Sequence, residues 1–249
     1  FELHIGQGPI LEREEKRIGI VTGMVSEAAC LEPAIRALPE KSRPQVFCSG
    51  GRADSAAEGI ARMLAEVDDQ KISGLLSFGL AGGLDPALSP GDLIVAETVT
   101  GPDGRRYETD AGWRSTVAKA IGGERPVIVT GLAGSDRVVA TRAAKVELRR
   151  STGAAAVDME SHVVADAARE AALPFLAIRA VADPADRSIP STALAGLAPD
   201  GRTRPFAVMA RLVLKPWEIS GLLRLARDSR AALATLEQIS SLLDRKSVV

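Results

Sequence analysis

Short apolar runs rich in branched residues punctuate this chain, each ending near a glycine or an acid and most followed by a stretch with helical spacing. Arg17–Gly23 (RIGIVTG), Gln45–Ser49 (QVFCS), Ser73–Phe78 (SGLLSF), Asp92–Val99 (DLIVAETV), Pro126–Thr130 (PVIVT), Ala154–Val157 and Pro174–Ala182 (PFLAIRAVA) read as buried strands. Met24–Leu38, Ala53–Glu66, Thr109–Ile121 and Ser161–Ala172 read as helices; in the first, Ala28, Leu31, Ile35 and Leu38 recur on one face. Gly50-Gly51 and the Gly-rich Gly79–Gly83 (GLAGG) read as turns. Strands apolar on both faces and alternating with helices require a mainly parallel or mixed sheet covered on both sides. The expectation is a single α/β domain over residues 17–244, with residues 1–16, weakly periodic and of mixed charge, as a flexible leader.

The end of the chain has a different texture. Asp186–Arg204 is rich in proline and glycine and reads as a long loop, and Pro205–Leu214 (PFAVMARLVL) is apolar with basic neighbours. From Ile219 onward, Leu222, Leu225, Ala226, Leu233, Leu236, Ile239 and Leu243 form one stripe of a long amphipathic helix, whose plain reading is a lid on the core.

Bulk properties exclude several classes of function. The net charge of −1 gives no electrostatic case for nucleic acid as a partner. Cys30 and Cys48 lack CxxC spacing, which argues against a disulfide framework or a zinc site and for a reducing cytoplasm. No apolar run is long enough to cross a bilayer. With His4 set aside in the leader, His162 is the one histidine left, too few for a histidine triad or a histidine metal site. No metal or organic cofactor is indicated.

Three acids stand at strand ends, where α/β sheets place ligand sites: Glu27, Glu160 and Asp183. Taken singly, an acid at a helix start is more often a cap or a partner of the helix dipole. Their surroundings carry more weight: Ile18–Glu27 (IGIVTGMVSE), Ser77–Gly83 (SFGLAGG) with Pro90–Leu93, Ala156–Glu160 (AVDME) and Ile178–Asp183 (IRAVAD). In that order and at those intervals they resemble the nucleoside phosphorylase superfamily, and within it the methylthioadenosine/S-adenosylhomocysteine nucleosidases.

The resemblance implies a three-layer fold with a central mixed, partly barrel-like sheet flanked by helices, and cleavage of an adenine nucleoside through a ribosyl cation. Asp183 matches the acid that protonates the departing purine, a role requiring a raised pKa, for which the apolar run before it supplies desolvation. Glu160 matches the carboxylate that holds the ribose hydroxyls, Met159 packs on the sugar, and Glu27 orients and deprotonates the attacking water. Asp158, Met24, Leu80, Ala81 and Gly82 fall on substrate-binding positions, and backbone groups around Val139 read the adenine edge. Val138 stands where the nucleosidases stack an aromatic ring on the purine. Arginines that hold phosphate in related phosphorylases are replaced here by Glu27 and Ser77, and a hydroxyl residue by Leu80, which favours water over phosphate unless Arg137 or Arg179 compensates.

A finer resemblance, to hopanoid-associated nucleosidase/phosphorylase proteins, extends into the tail through Gly134–Ala140, Val157–His162, Pro199–Pro205 and Leu225–Leu233. It implies adenosylhopane, a lipid nucleoside, as substrate. The segment 206–223 would then line an apolar channel or lie on a membrane surface; closing the core or a dimer interface is its plainer reading, and relatives of this kind are homodimers. Phosphorolysis of the same nucleoside, methylthioadenosine hydrolysis and a non-catalytic nucleoside-binding module are the competing functions. Cys30, Cys48, Ser161 and His162 read as packing or capping residues.

Overall fold

The computed structural model describes residues 17–65, 72–196, 202 and 204–245; the expected leader lies outside the described residues. Eight strands form one mixed sheet: β1 (Arg17–Thr22), β2 (Gln45–Cys48), β3 (Ile72–Gly83), β4 (Leu93–Thr100), β5 (Arg106–Glu108), β6 (Ile128–Gly134), β7 (Ala156–Asp158) and β8 (Phe175–Asp183). Their order is β2-β1-β3-β7-β6-β4-β5, and β8 pairs with both β3 and β4. The path β3-β7-β6-β4-β8 therefore returns to β3, closing a five-strand barrel from which β1 and β2 extend on one side and β5 on the other. This is the three-layer α/β expectation with its barrel-like centre.

Closure depends on β3. Over Leu75–Gly82 one edge pairs in parallel with β8, while the other edge serves β1 up to Ser77 and β7 at Gly82 and Gly83. The Gly79–Gly83 stretch is thus the second half of a twelve-residue strand and not a turn. Glycine ordinarily weakens a strand; pairing on both edges holds this one, and the glycines have a steric use described below.

Helices α1 (Val25–Ala37), α2 (Ala53–Ala65), α3 (Ala111–Gly122), α4 (Arg142–Thr152), α5 (Ser161–Glu170), α6 (Ser191–Leu194), α7 (Pro205–Leu214) and α8 (Ile219–Arg245) surround the sheet. One core layer lies between the sheet and α2 and α5, around Ile60, Leu75, Val164 and Ala177. The other, around Leu31, Phe78, Val117, Ile178 and Leu236, is covered by α1, α3 and α8. Only the second half of α8 seals that layer: Ala232, Leu236 and Ile239 are buried, Leu222, Leu225 and Leu233 half-buried, and Ala226 exposed. The side chain of Leu243 lies outside the described residues.

Three elements have no counterpart in the sequence reading. β5 is too short to show a period. α4 (RAAKVELRRST) lacks an apolar stripe; the Thr141 hydroxyl caps its start on the Ala144 N–H (3.2 Å), and Gly153 at φ +70° closes its end. The loop expected over Asp186–Arg204 contains the single turn α6.

Candidate active site

The ends of β1, β3, β6, β7 and β8 converge on a cavity of about 470 Å³, a size suited to a small-molecule ligand. Every residue expected in catalysis or substrate binding lines it: Met24, Glu27, Leu80, Ala81, Gly82, Val138, Val139, Asp158, Met159, Glu160 and Asp183. Arg137 lines it as well, as do Gly51, Arg52, Ile189, Leu194, Arg202, Leu225 and Ser229, to which the sequence gave no ligand role.

Glu27 sits in the first turn of α1, fully buried, with its carboxylate turned back onto the strand ends. The Gly23 and Met24 N–H groups donate to its Oε2 (2.7 and 2.9 Å) and the Leu80 N–H donates to its Oε1 (2.9 Å). The first two donors are the N-cap residue of α1 and the residue before it, so the chain's own carboxylate caps the helix start. Of the roughly four acceptor positions a carboxylate offers, three are used and one remains for a water. Burial pushes the Glu27 carboxyl up, against the Arg179 charge and those three backbone bonds.

Behind the wall lies Arg179 of β8, wholly buried. Its guanidinium is held by Asp158, by the Ser77 hydroxyl (2.6 Å), by the Ser161 hydroxyl (3.1 Å) and by the Ile178 carbonyl (3.3 Å). Glu160 Oε2 lies 3.6 Å from its Nη2. Asp158 also accepts from the Ser161 hydroxyl, so its carboxylate is occupied within the wall. Three carboxylates, Glu27, Asp158 and Glu160, thus share one guanidinium. Burial, with repulsion from Asp158 and Glu27, raises the Glu160 pKa from 4.5 to about 8 despite Arg179.

Asp183, the last residue of β8, is mostly buried. Burial pushes its carboxyl up, and the ammonium of Lys145, paired with its Oδ2, pulls it back. Lys145 is fully buried on α4, and its Nζ also donates to the carbonyls of Pro184 (2.7 Å) and Arg187 (3.1 Å). Nothing in the sequence flagged it, because a lysine on a polar helix looks like solvated surface.

Three glycines make room for three of the four acids that line the cavity. A Cβ at Gly23 would stand 2.6 Å from a Glu160 oxygen, one at Gly79 2.6 Å from a Glu27 oxygen, and one at Gly82 3.2 Å from an Asp183 oxygen. None of the three has a positive φ, so their purpose is space and not the turn geometry expected of Gly79–Gly83.

The remaining residues fall as packing predicts. His162 is buried, with Nε2 3.1 Å from Asp136. Cys30 and Cys48 are half-buried, and burial raises the Cys30 thiol to about 11, leaving it unreactive at neutral pH. Among the described residues no group of three or more acids, histidines or cysteines is placed to hold a metal ion.

The model of the phosphorylase superfamily matches residues 41–213. The chain belongs to the phosphorylase superfamily. Its fold is that of solved members and their relatives. The 5′-methylthioadenosine/S-adenosylhomocysteine nucleosidase of Neisseria meningitidis, in complex with methylthio-immucillin-A, superposes with a TM-score of 0.70 at 17% identity, covering 92% of this chain and 99% of that one. The futalosine hydrolase of Helicobacter pylori superposes at 0.63 with 16% identity, over 91% and 97% of the two chains. At such identities the likeness is one of fold, and this superfamily member's own chemistry rests on its residues.

Proposed function

We propose that this protein hydrolyses the N-glycosidic bond of an adenine nucleoside bearing a large apolar 5′ substituent, and that adenosylhopane is its substrate, giving adenine and ribosylhopane. One observation carries the choice of water as nucleophile. The backbone N–H groups open to an anion between the start of α1 and β3, those of Gly23, Met24 and Leu80, are already bound by Glu27. The guanidinium of Arg179 beside them is already engaged by Asp158 and Glu160 and is not free to hold a phosphate.

In this reading the C1′–N9 bond breaks with its electron pair leaving on the purine. Asp183 transfers its proton to the purine N7, so adenine departs neutral. Glu160 holds the ribose hydroxyls beside the developing positive charge. Glu27 takes a proton from the water whose oxygen forms the new bond to C1′. Met24 and Met159 pack on the sugar, and the Val138–Val139 segment borders the base. Two carboxylates are left with opposite proton counts from those they began with, and solvent resets them.

The apolar substituent is accommodated by Ile189, Leu194 and Leu225, which line the cavity from the segments after β8. Nothing from 206–223 lines it, so the channel expected of that segment is built instead by its neighbours. Methylthioadenosine and related nucleosides with small 5′ groups fit the same chemistry. Phosphorolysis keeps one supporting feature, the arginines at the cavity wall: Arg137, Arg202 and Arg52, the last paired with Asp54.

The test is incubation of purified protein with adenosylhopane, with and without phosphate, following adenine and the sugar product by mass spectrometry. Adenine and free ribosylhopane in phosphate-free buffer are expected. Strict dependence on phosphate, with a phosphorylated sugar product, would overturn the hydrolytic reading.

A further inference from the structure

α7 inverts the rule that a helix buries its apolar face. Of its ten residues only Arg211 is charged, and Phe206, Met209, Val213 and Leu214 point outward; Phe206 is 88% exposed. Its inner side, Ala207, Val208 and Leu212, is only half-buried, and its main neighbours are α6 and the single 3-10 turn Pro216–Glu218. Trp217 on that turn is 71% exposed, and Ile219 and Leu223 continue the apolar surface onto α8. A helix apolar all round belongs in a core or in lipid.

The charges on this face have one sign. Between residues 202 and 230 the chain has seven basic and two acidic residues, in a protein whose net charge is −1. Both acids are engaged. Glu218 accepts from the Ser191 hydroxyl and from the Thr192 N–H and hydroxyl, all at 2.9 Å, and buried Asp228 accepts from Arg187 at 2.7 Å. What projects around the apolar stripe is cationic, with Arg204, Arg211 and Arg224 exposed.

We propose that this face, α7 with the following turn and the start of α8, docks on an anionic lipid surface. An exposed apolar stripe with an aromatic anchor and a basic border is the composition of a helix lying in the membrane interface, its apolar side in the acyl boundary and its cations on the headgroups. No helix among the described residues is long and apolar enough to span a membrane, so the contact is peripheral. A second copy is the poorer occupant, because a two-fold interface sets the same cations against one another. The face adjoins the cavity: Arg202 precedes α7, Leu225 follows Leu223 on α8, and both line it. Docking itself rests on the face alone; that it brings the cavity mouth to a lipid-borne nucleoside rests on the proposed activity.

The full-length protein is floated with vesicles of equal parts phosphatidylglycerol and phosphatidylcholine, and with phosphatidylcholine alone. Wild type should float with the anionic vesicles and stay behind with the neutral ones. The pair Arg204→Glu and Arg211→Glu should weaken partitioning roughly tenfold or more per residue reversed. Phe206→Asp with Val213→Asp should abolish it. All four positions are exposed and outside the cavity, so adenine release from a soluble short-tailed nucleoside should be unchanged and shows that the variants fold. Failure of wild type to float, or equal flotation of the variants, overturns the proposal. So does a dimer in sedimentation that Phe206→Asp with Val213→Asp dissociates, which would assign the face to a second copy. Loss of adenine release with flotation intact would instead count against the activity alone.

Discussion

Lys145 and Asp183 set the proton economy of the site. In the proposed reaction Asp183 has to carry a proton when the glycosidic bond breaks; burial favours that state, while the Lys145 ammonium opposes it. Asp183→Asn removes the transferable proton with little change in shape, so kcat should fall about 10²- to 10⁴-fold with a small change in KM. Lys145→Met removes the opposing charge. The Asp183 pKa then rises, and because activity is lost as the acid deprotonates, the alkaline limb of the kcat/KM profile should move to higher pH. An unmoved limb would reduce Lys145 to a structural residue. The variant should also be less stable by about 3–5 kcal/mol, the usual cost of breaking a buried pair, read by urea denaturation.

At the scale of elements, β3 is both a barrel strand and a wall of the site, and its glycines reconcile the two uses. Gly79→Ala places a methyl group 2.6 Å from the Glu27 carboxylate, which its three backbone bonds prevent from yielding. The expected result is a loss of about 1–3 kcal/mol in stability, the range for overpacking, together with loss of turnover; a normally active Gly79→Ala would show that Glu27 is not held as described. In the proposed function the segments after β8 receive the 5′ substituent. Leu225→Asp puts a charge in the apolar wall, so cleavage of an apolar-tailed nucleoside should fall about tenfold or more while methylthioadenosine is spared. Equal losses on both substrates would place Leu225 in general support of the fold. β3 and α4 also mark where reading along the chain stops. Gly79–Gly83 looks like a turn because strand glycines are unfavourable locally, and α4 is silent because caps and a buried lysine hold it instead of an apolar stripe.

The molecule as a whole buries acidic groups in its barrel wall, and this ties stability to pH. Folded Glu160 keeps its proton up to about pH 8, whereas its ordinary pKa is 4.5. The native state therefore binds the extra proton between those values. The stability this contributes is complete below the lower value and is lost as pH rises through the upper one. Glu27 and Asp183, also raised by burial, act in the same direction. The ligand-free protein should accordingly lose thermal stability between about pH 5 and pH 9, and Glu160→Gln should flatten that slope and melt higher than wild type at the alkaline end. An identical slope in the variant would show that Glu160 is already ionised at neutral pH.

The amino-acid order by itself determined the alternation of buried strands and helices, and with it the α/β class, because apolar period and breaker residues act over a few neighbours. The local motifs around Glu27, Glu160 and Asp183 also named the acids of the cavity before any geometry was known. Only the tertiary structure decided that β8 bridges β3 and β4 to close a barrel, since strand order is a matter of long-range pairing that no local period encodes. The same holds for the partners of those acids. Glu27 on three backbone N–H groups, Arg179 shared by three carboxylates and Lys145 against Asp183 join residues far apart in sequence, and their protonation depends on burial and on charges that folding alone brings together.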